Sequence, residues 1–300
     1  KDWNLESDFG DGIGAHGGVW ECPDLFPMAV QGTDEIKWVL FVSINPGGPN
    51  GGSATQYFVG DFNGKEFKCD YKQTKWIDYG PDEYAGVTWS NTGKRKVFIG
   101  WMSNWQYANI VPTEKFRNAF TIPRELGLKK INDEYYVTSS PIAELKKIEK
   151  KTYSFNNVTI EHSTNLTSKI GLMDVPSKFD FVLSDKNNFS IELLNNLNEK
   201  VVIGYDKQKN MYFIDRRNSG NISFHKNFGS INYAPRLSSS NEITLSIYLD
   251  VASIEMFADN GLSVLTSVVF PNEKFSTINI TSAEKVILKN FTYTALNSIW

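Results

Sequence analysis

Tyr57-Phe58-Val59-Gly60-Asp61-Phe62-Asn63-Gly64-Lys65-Glu66-Phe67 is the stretch that decides the fold class. Two apolar, aromatic runs meet at Asn-Gly. Both of those residues tolerate positive φ, so the segment predicts a β-hairpin. Upstream, Trp38-Val39-Leu40-Phe41-Val42-Ser43-Ile44 is a short apolar run closed by Asn45-Pro46-Gly47-Gly48, which reads as a buried strand and a turn. Downstream, Lys96-Val97-Phe98-Ile99-Gly100-Trp101-Met102 reads as another buried strand. Helix signals are scarce, and the best candidate, residues 141–148, is short. Later in the chain Leu245-Ser246-Ile247-Tyr248-Leu249 and Ile254-Glu255-Met256-Phe257 alternate with period two. The second of these runs through Ala258-Asp259 to a turn at Asn260-Gly261, and residues 262–270 return as its partner strand before Pro271 ends it. Strands at this spacing, with no long helix, predict an all-β protein. The first half suits a propeller, sandwich or barrel, and the second half a β-sandwich.

Composition shifts near residue 150. The charged run Glu149-Lys150-Lys151 follows the helix candidate, and seven of the eight Trp lie before it, with only Trp300 after. Three hundred residues exceed one typical domain, so two are expected, residues 1–150 and 151–300. The net charge of −3 and the scattered Lys and Arg argue against nucleic acid or an anionic membrane as partner. No apolar run approaches the ~18 residues of a membrane span. Aromatics make up 14% of the chain, and they suit either a β-rich core or a surface on which sugar rings pack. The only cysteines, Cys22 and Cys69, make no disulfide framework. The chain starts at Lys1 with no signal peptide, as expected of a mature form or an excised piece. Six Asn-x-Ser/Thr sequons occur, at Asn157, Asn165, Asn188, Asn221, Asn279 and Asn290. The Asn-, Ser- and Thr-rich second half explains most of them by chance; what remains favours a secreted, periplasmic or cell-surface location over the cytoplasm.

Gly12-Ile13-Gly14-Ala15-His16-Gly17 matches a dinucleotide fingerprint in letters only, because Pro23 and Pro27 block the helix that must follow. His16, His162 and His225 show no ligand spacing, and no Gly-x-Ser-x-Gly elbow is present. The stretch that suggests chemistry is Trp20-Glu21-Cys22-Pro23-Asp24-Leu25-Phe26. Apolar neighbours disfavour a charged carboxylate, so Glu21 is a candidate general acid. Taken alone, it reads more readily as an ordinary, partly exposed Glu at a strand end, and its case rests on the segments that accompany it.

Those segments carry a resemblance. Glu21-Cys22-Pro23 resembles the Glu-Cys-Pro motif of the glycoside hydrolase family of invertases, inulinases and levanases. Asp78-Tyr79-Gly80-Pro81-Asp82-Glu83-Tyr84-Ala85, Gly100-Trp101-Met102-Ser103-Asn104-Trp105 and Arg117 through Thr121-Ile122-Pro123-Arg124-Glu125-Leu126 resemble its further segments, in the right order. So do Ser43 to Gly60, Asp215 to Gly220 and Asp250 to Pro271. The resemblance implies the later blades of a five-bladed β-propeller followed by a β-sandwich. It also implies retaining hydrolysis of β-fructofuranosides such as sucrose, inulin or levan, by two carboxyl groups about 5–5.5 Å apart and without a metal or organic cofactor. By position, Glu21 matches the acid/base, Cys22 is its uncharged neighbour, and Asp78 matches an acidic residue that orients it. Trp101 matches an aromatic wall of the fructose pocket, while Tyr84 and Trp105 fit either the pocket or the propeller core. Arg124 and Glu125 are expected to form a structural ion pair.

The chain departs from the family in one respect. The family's nucleophile lies in a Trp-Met-Asn-Asp-Pro-Asn-Gly segment and its transition-state carboxylate in Arg-Asp-Pro, and neither is found in this sequence. The expectation is therefore a fragment of a larger enzyme, inactive as it stands. The alternatives are a non-catalytic carbohydrate-binding β-protein, or a structural or assembly module.

Overall fold

In the computed structural model, which describes residues 2–69, 71–171 and 173–299, antiparallel strands dominate. β1 (Val19–Ala29), β2 (Ile36–Asn45), β3 (Ala54–Phe62) and β4 (Phe67–Lys68) pair in that order, with β5 (Lys75–Trp76) against β3. The next five strands are β6 (Tyr84–Thr88), β7 (Val97–Met102), β8 (Ala119–Phe120), β9 (Arg124–Ile131) and β10 (Glu134–Pro141). They form a second sheet in the order β6-β7-β9-β10, with β8 beside β7. Each sheet is an up-and-down meander, the form of a propeller blade. Their facing sides share an apolar core in which Phe41 stands edge-on to Phe26 at 5.2 Å and to Phe98 at 5.6 Å.

The Asn-Gly hairpin forms between β3 and β4, with a mechanism that differs in detail from the expectation. Only Gly64 takes a positive φ, 93°. Asn63 works through its side chain, whose Oδ1 accepts from the amides of Lys65 and Glu66 at 2.9 Å each. The helix candidate is a 3₁₀ helix, Ala143–Ile148, with no buried residue. Six residues with no packed face cannot repay the cost of nucleating an α-helix.

The remaining strands are β11 (Glu149–Asn165), β12 (Ser177–Leu183), β13 (Phe189–Leu194), β14 (Lys200–Asp206), β15 (Met211–Asn218), β16 (Ile231–Pro235), β17 (Ile243–Leu249), β18 (Ser253–Ala258), β19 (Ser263–Val268) and β20 (Thr277–Leu296). They are hydrogen-bonded in the order β16-β15-β14-β13-β20-β12-β17-β18-β19, with β11 against β20. β20 joins the two layers. Its first part, Thr277 to Thr281, pairs with β13, and its last part, Leu288 to Ala295, pairs with β12. A strand that changes sheet in this way makes the corner of a sandwich. The inward residues alternate, as in Phe179, Phe181 and Leu183 on β12 and Ile243, Leu245, Ile247 and Leu249 on β17, and they fill one core.

β18 and β19 break that alternation. Nearly every residue in them is buried, Glu255 included, because their outer face carries the blades. Two ion networks seal this junction. The Arg124 guanidinium bridges Asp78 at 2.9 Å and Glu255 at 2.7 Å, and it donates to Thr266 Oγ1 at 2.7 Å. Asp78 also accepts from the amides of Gly80 (2.8 Å) and Thr266 (2.9 Å). Arg216 reaches from β15 to Asp82 at 2.6 Å, and Asp82 accepts from the Val268 amide at 2.9 Å and from the Tyr107 hydroxyl. Arg216 also lies over the Phe228 ring at 4.0 Å. Each of these buried charges is paired and hydrogen-bonded, with only Arg124 Nε left without a partner, which is close to the condition under which a dry interface tolerates charge.

Candidate active site

The geometry around Glu21 follows from a bulge. Along β1, Glu21 pairs with Ser43 and Asp24 with Phe41, so three steps on β1 match two on β2. The extra residue is absorbed at Cys22, which takes a φ of 52°, next to Pro23, which has no amide to donate. In a regular strand, residues three apart face opposite sides. The bulge puts Glu21 and Asp24 on the same side, toward β6. β6 has a matching irregularity, in which Tyr84 pairs with Trp101, Val87 pairs with Ile99, and Ala85 takes a φ of 52°. The two edges are then tied twice. The Tyr84 hydroxyl donates to Glu21 Oε2, and Asp24 Oδ2 accepts from the amide and hydroxyl of Thr88 at 2.7 Å each.

The apolar frame expected around Glu21 does not enclose it. Glu21 is exposed, and the Trp20 ring turns away to stack on His16 at 5.2 Å and to lie near Phe58. What holds the carboxyl group is Tyr84. Burial, and then the bond to Glu21, push the Tyr84 hydroxyl above its ordinary pKa, so it stays a donor through the neutral range. Trp101 stands edge-on to Tyr84 at 6.3 Å, and Trp105 lies 5.0 Å beyond it. Trp105 is 49% exposed, so it is not propeller core. Its loop is fastened by Asn104, which donates to the carbonyls of Pro81 (2.7 Å) and Gly51 (3.1 Å). The result is an open line of carboxyl, phenol and two indoles. Such a line provides a proton donor next to flat apolar faces.

Cys22 is exposed and both cysteines are free thiols. Burial and the nearby Glu21 raise the Cys22 thiol pKa, so Cys22 adds no charge beside Glu21 at neutral pH. Asp78 does not join this group. Its oxygens are taken by Arg124, Thr266 and Gly80 at the junction with the sandwich, where it orients β19 and not Glu21. Arg124 and Glu125 do not pair with each other either. Successive strand residues face opposite sides, so Arg124 turns inward to Asp78 and Glu255 while Glu125 turns outward to Arg95 at 2.9 Å.

Sequence reasoning passed over Glu83. It is fully buried, and burial, then the charge of Asp78, push its carboxyl pKa up to about 8 against the opposing pull of Arg124. Its only sequence signal was its place beside Tyr84, and nothing local announced that it was buried. A cavity of about 610 Å³ lies elsewhere, on the sandwich, lined by residues that include His162, Ser190, Asp206 and Phe213. It shares no residue with the Glu21 line. Among the described residues no group of three or more His, Cys, Asp or Glu is placed to hold a metal ion.

Comparison with known proteins gives a consistent picture. The family model "Glycosyl hydrolases family 32 N-terminal domain" matches residues 1–141, and "Glycosyl hydrolases family 32 C terminal" matches residues 144–295. The levanase of Bacillus subtilis (strain 168) is 37% identical over 311 residues, covering 100% of this chain and 46% of its own length. The extracellular exo-inulinase inuE of Aspergillus niger is 39% identical over 288 residues, covering 91% of this chain and 53% of its own. Among solved structures, exo-inulinase from Aspergillus awamori superposes with a TM-score of 0.88 at 34% identity, covering 100% of this chain and 61% of that one. A β-fructofuranosidase from Schwanniomyces occidentalis complexed with fructosyl-erythritol gives 0.86 at 27%, covering 99% and 63%. The chain spans about half the length of the curated relatives it matches.

Proposed function

This chain belongs to glycosyl hydrolase family 32, and we propose that it is the acid/base-bearing part of a retaining β-fructofuranosidase acting at the terminal fructose of sucrose, inulin or levan. The observation that carries the reading is Glu21, exposed at a bulged strand edge, held by the Tyr84 hydroxyl and flanked by Trp101 and Trp105. In this reading Glu21 protonates the departing glycosidic oxygen and then takes a proton from the incoming water. Tyr84 fixes the rotamer of the carboxyl group. The indoles receive the apolar faces of the sugars, and the Cys22 thiol leaves the acid without a charged neighbour. Location outside the cell, or at its surface, fits relatives described as extracellular exo-inulinases. The division into domains 1–150 and 151–300 belongs to the same proposal.

A retaining mechanism needs a second carboxylate opposite the acid. Asp24, on the same strand as Glu21, is engaged by Thr88, while Asp78 and Asp82 are held at the junction with the sandwich by Arg124 and Arg216. The isolated 300 residues are therefore expected to release no fructose from sucrose, inulin or levan. Release at a rate that Glu21→Gln abolishes would show that the chain completes its own site, and would overturn the inactive-fragment reading. In an enzyme containing this chain and the rest of its propeller, Glu21→Gln is expected to retain sugar binding and lose most turnover. A near-normal rate on sucrose or inulin would remove Glu21 from its role.

A further inference from the structure

We propose that Asn50 is a positioning residue for Trp105: it fastens the turn that holds the Trp105 backbone to the edge of the β-sandwich, so that the sandwich sets where one wall of the sugar site stands. The inference rests on the reading of Trp105 as a surface that receives sugar. Trp105 is 49% exposed, so packing alone does not fix its ring. Its place is set by the short segment Asn104 to Tyr107, which is gripped at both ends. At the first end, Ser53 Oγ accepts from the Trp105 amide at 3.2 Å, and the Gly51 carbonyl accepts from Asn104 Nδ2 at 3.1 Å. At the other end the grip is the sandwich itself. The Tyr107 hydroxyl accepts from Arg216 at 2.9 Å, and Asn227 donates to Gln106 Oε1 at 3.4 Å.

Ser53 and Gly51 lie at the end of the turn between β2 and β3. That turn is closed on itself. The amides of Gly47 and Gly48 both donate to the Gly52 carbonyl, at 3.0 and 2.9 Å, and the Gly51 amide donates to the Gly48 carbonyl at 3.1 Å. Gly52 has a φ of 76°, and a Cβ there would run into the Asn104 carboxamide, so this glycine lets the turn and the Trp105 segment meet. Ser53 is tied back in turn by its bond to Asn45 Oδ1 at 3.2 Å. A turn braced in this way passes a displacement of its tip on to the groups that hold Trp105.

Asn50 is at that tip, and its side chain is committed to the other half of the chain. Oδ1 accepts from the Tyr233 amide at 3.2 Å, and Nδ2 donates to the Tyr233 carbonyl at 3.1 Å and to the Tyr79 carbonyl. Tyr233 is on β16, at one end of the sandwich strand order, with Phe213 of β15 opposite it. An edge strand presents unpaired amide and carbonyl groups. A carboxamide carries the same donor and acceptor as a peptide group, so Asn50 pairs with this edge as a one-residue strand would. A carboxylate could not replace it, having no proton to give the two carbonyls. The bond joins residues 183 apart in sequence and completes a path from the sandwich edge to the indole. An aromatic wall already in place when sugar arrives loses less freedom on binding, and so binds more tightly.

The test has two arms. In the first, the chain is labelled with 5-fluorotryptophan and read by fluorine NMR, with Trp105→Phe and Trp38→Phe assigning two of the signals. Asn50→Ala is expected to shift or broaden the Trp105 signal and to leave that of Trp38, near the opposite end of β2 from the turn, in place. Ser53→Ala, which removes the acceptor of the Trp105 amide, should give the same selective change, and it keeps the test open should Asn50→Ala not fold. An unmoved Trp105 signal in a folded variant, or a Trp38 signal that moves as far, would overturn the proposal. In the second arm, an enzyme containing this chain is assayed on inulin or levan. Asn50→Ala should raise KM about two- to tenfold, the worth of ordering one side chain, with kcat little changed. Trp105→Ala, measured beside it, separates the two readings. If Trp105→Ala raises KM and Asn50→Ala does not, the proposal is overturned and Trp105 keeps its place in the sugar site. If neither raises KM, Trp105 leaves the sugar site and the proposal falls with it.

Discussion

Replacing Arg124 with methionine probes what holds the blades on the sandwich. Met fills much of the stem volume and removes the charge. The guanidinium makes bonds of 2.9 Å to Asp78, 2.7 Å to Glu255 and 2.7 Å to the Thr266 hydroxyl, and no partner is more than 3% exposed. Removing one member of a buried ion pair costs about 3–5 kcal/mol, mostly as the penalty on the charge left behind. One guanidinium here serves two carboxylates, which puts Arg124→Met at the upper end, about 5 kcal/mol at pH 7. The cost depends on pH, with a definite sign. Burial already raises the Glu255 carboxyl above its ordinary value, and Arg124 opposes that rise. A carboxyl with a raised folded-state pKa contributes stability that is fully present below its unfolded value and lost as pH climbs through the folded one. Taking Arg124 away raises the folded value further. The deficit of the variant should therefore be smallest near pH 5 and grow toward pH 8. Adding Asp78→Asn and Glu255→Gln should return most of the loss and flatten the pH dependence. The assay is urea unfolding followed by tryptophan fluorescence, which favours the Trp-rich first half, and by far-UV circular dichroism, which reports both halves. A deficit below about 1 kcal/mol, or one equal at the two pH values, would refute the view that this network is a sealed, charge-compensated junction.

Two further substitutions test the neighbouring geometry. Gly80→Ala places a Cβ 2.0 Å from the carbonyl oxygen of Thr266, where backbone meets backbone across the junction. It should cost at least the ~1–3 kcal/mol of an overpacked core, read as a lower urea midpoint. Tyr84→Phe removes the donor on Glu21 and little volume. In an active enzyme containing this chain it should lower kcat about tenfold, the worth of one hydrogen bond to a charged group at roughly 1.5 kcal/mol, with KM little changed. An unchanged kcat would take Tyr84 out of the positioning role.

Much of the fold was legible because its signals are local. Asn63-Gly64 and Asn260-Gly261 turn where expected, and the positive φ of Gly64 and of Asp259, Asn260 and Gly261 shows why those letters stand there. The period-two run at residues 245–249 is half inward and half outward, as written. The run at residues 254–257 is not, since the face that should be wet is covered by the blades, and a strand's pattern does not say what will dock on its outer side. The helix candidate failed for a related reason. Its charged residues offered no face to pack, and a six-residue segment has no other source of helical stability.

The sequence alone determined an all-β chain, the turn positions and a carboxylate in a motif worth testing, because each of these depends on residues a few places apart. Tertiary structure decided what the carboxylates do. A bulge at Cys22, hinted at only by Pro23, turned Glu21 and Asp24 to one side. Packing of two blades brought Tyr84 onto Glu21 across 63 residues of chain, and docking of the sandwich drew Asp78 to Thr266 across 188. It also buried Glu83 beside two glycines. The charge state and partners of a carboxyl group are set by what surrounds it in space, at a range where burial and a neighbouring guanidinium outweigh anything its chain neighbours can impose.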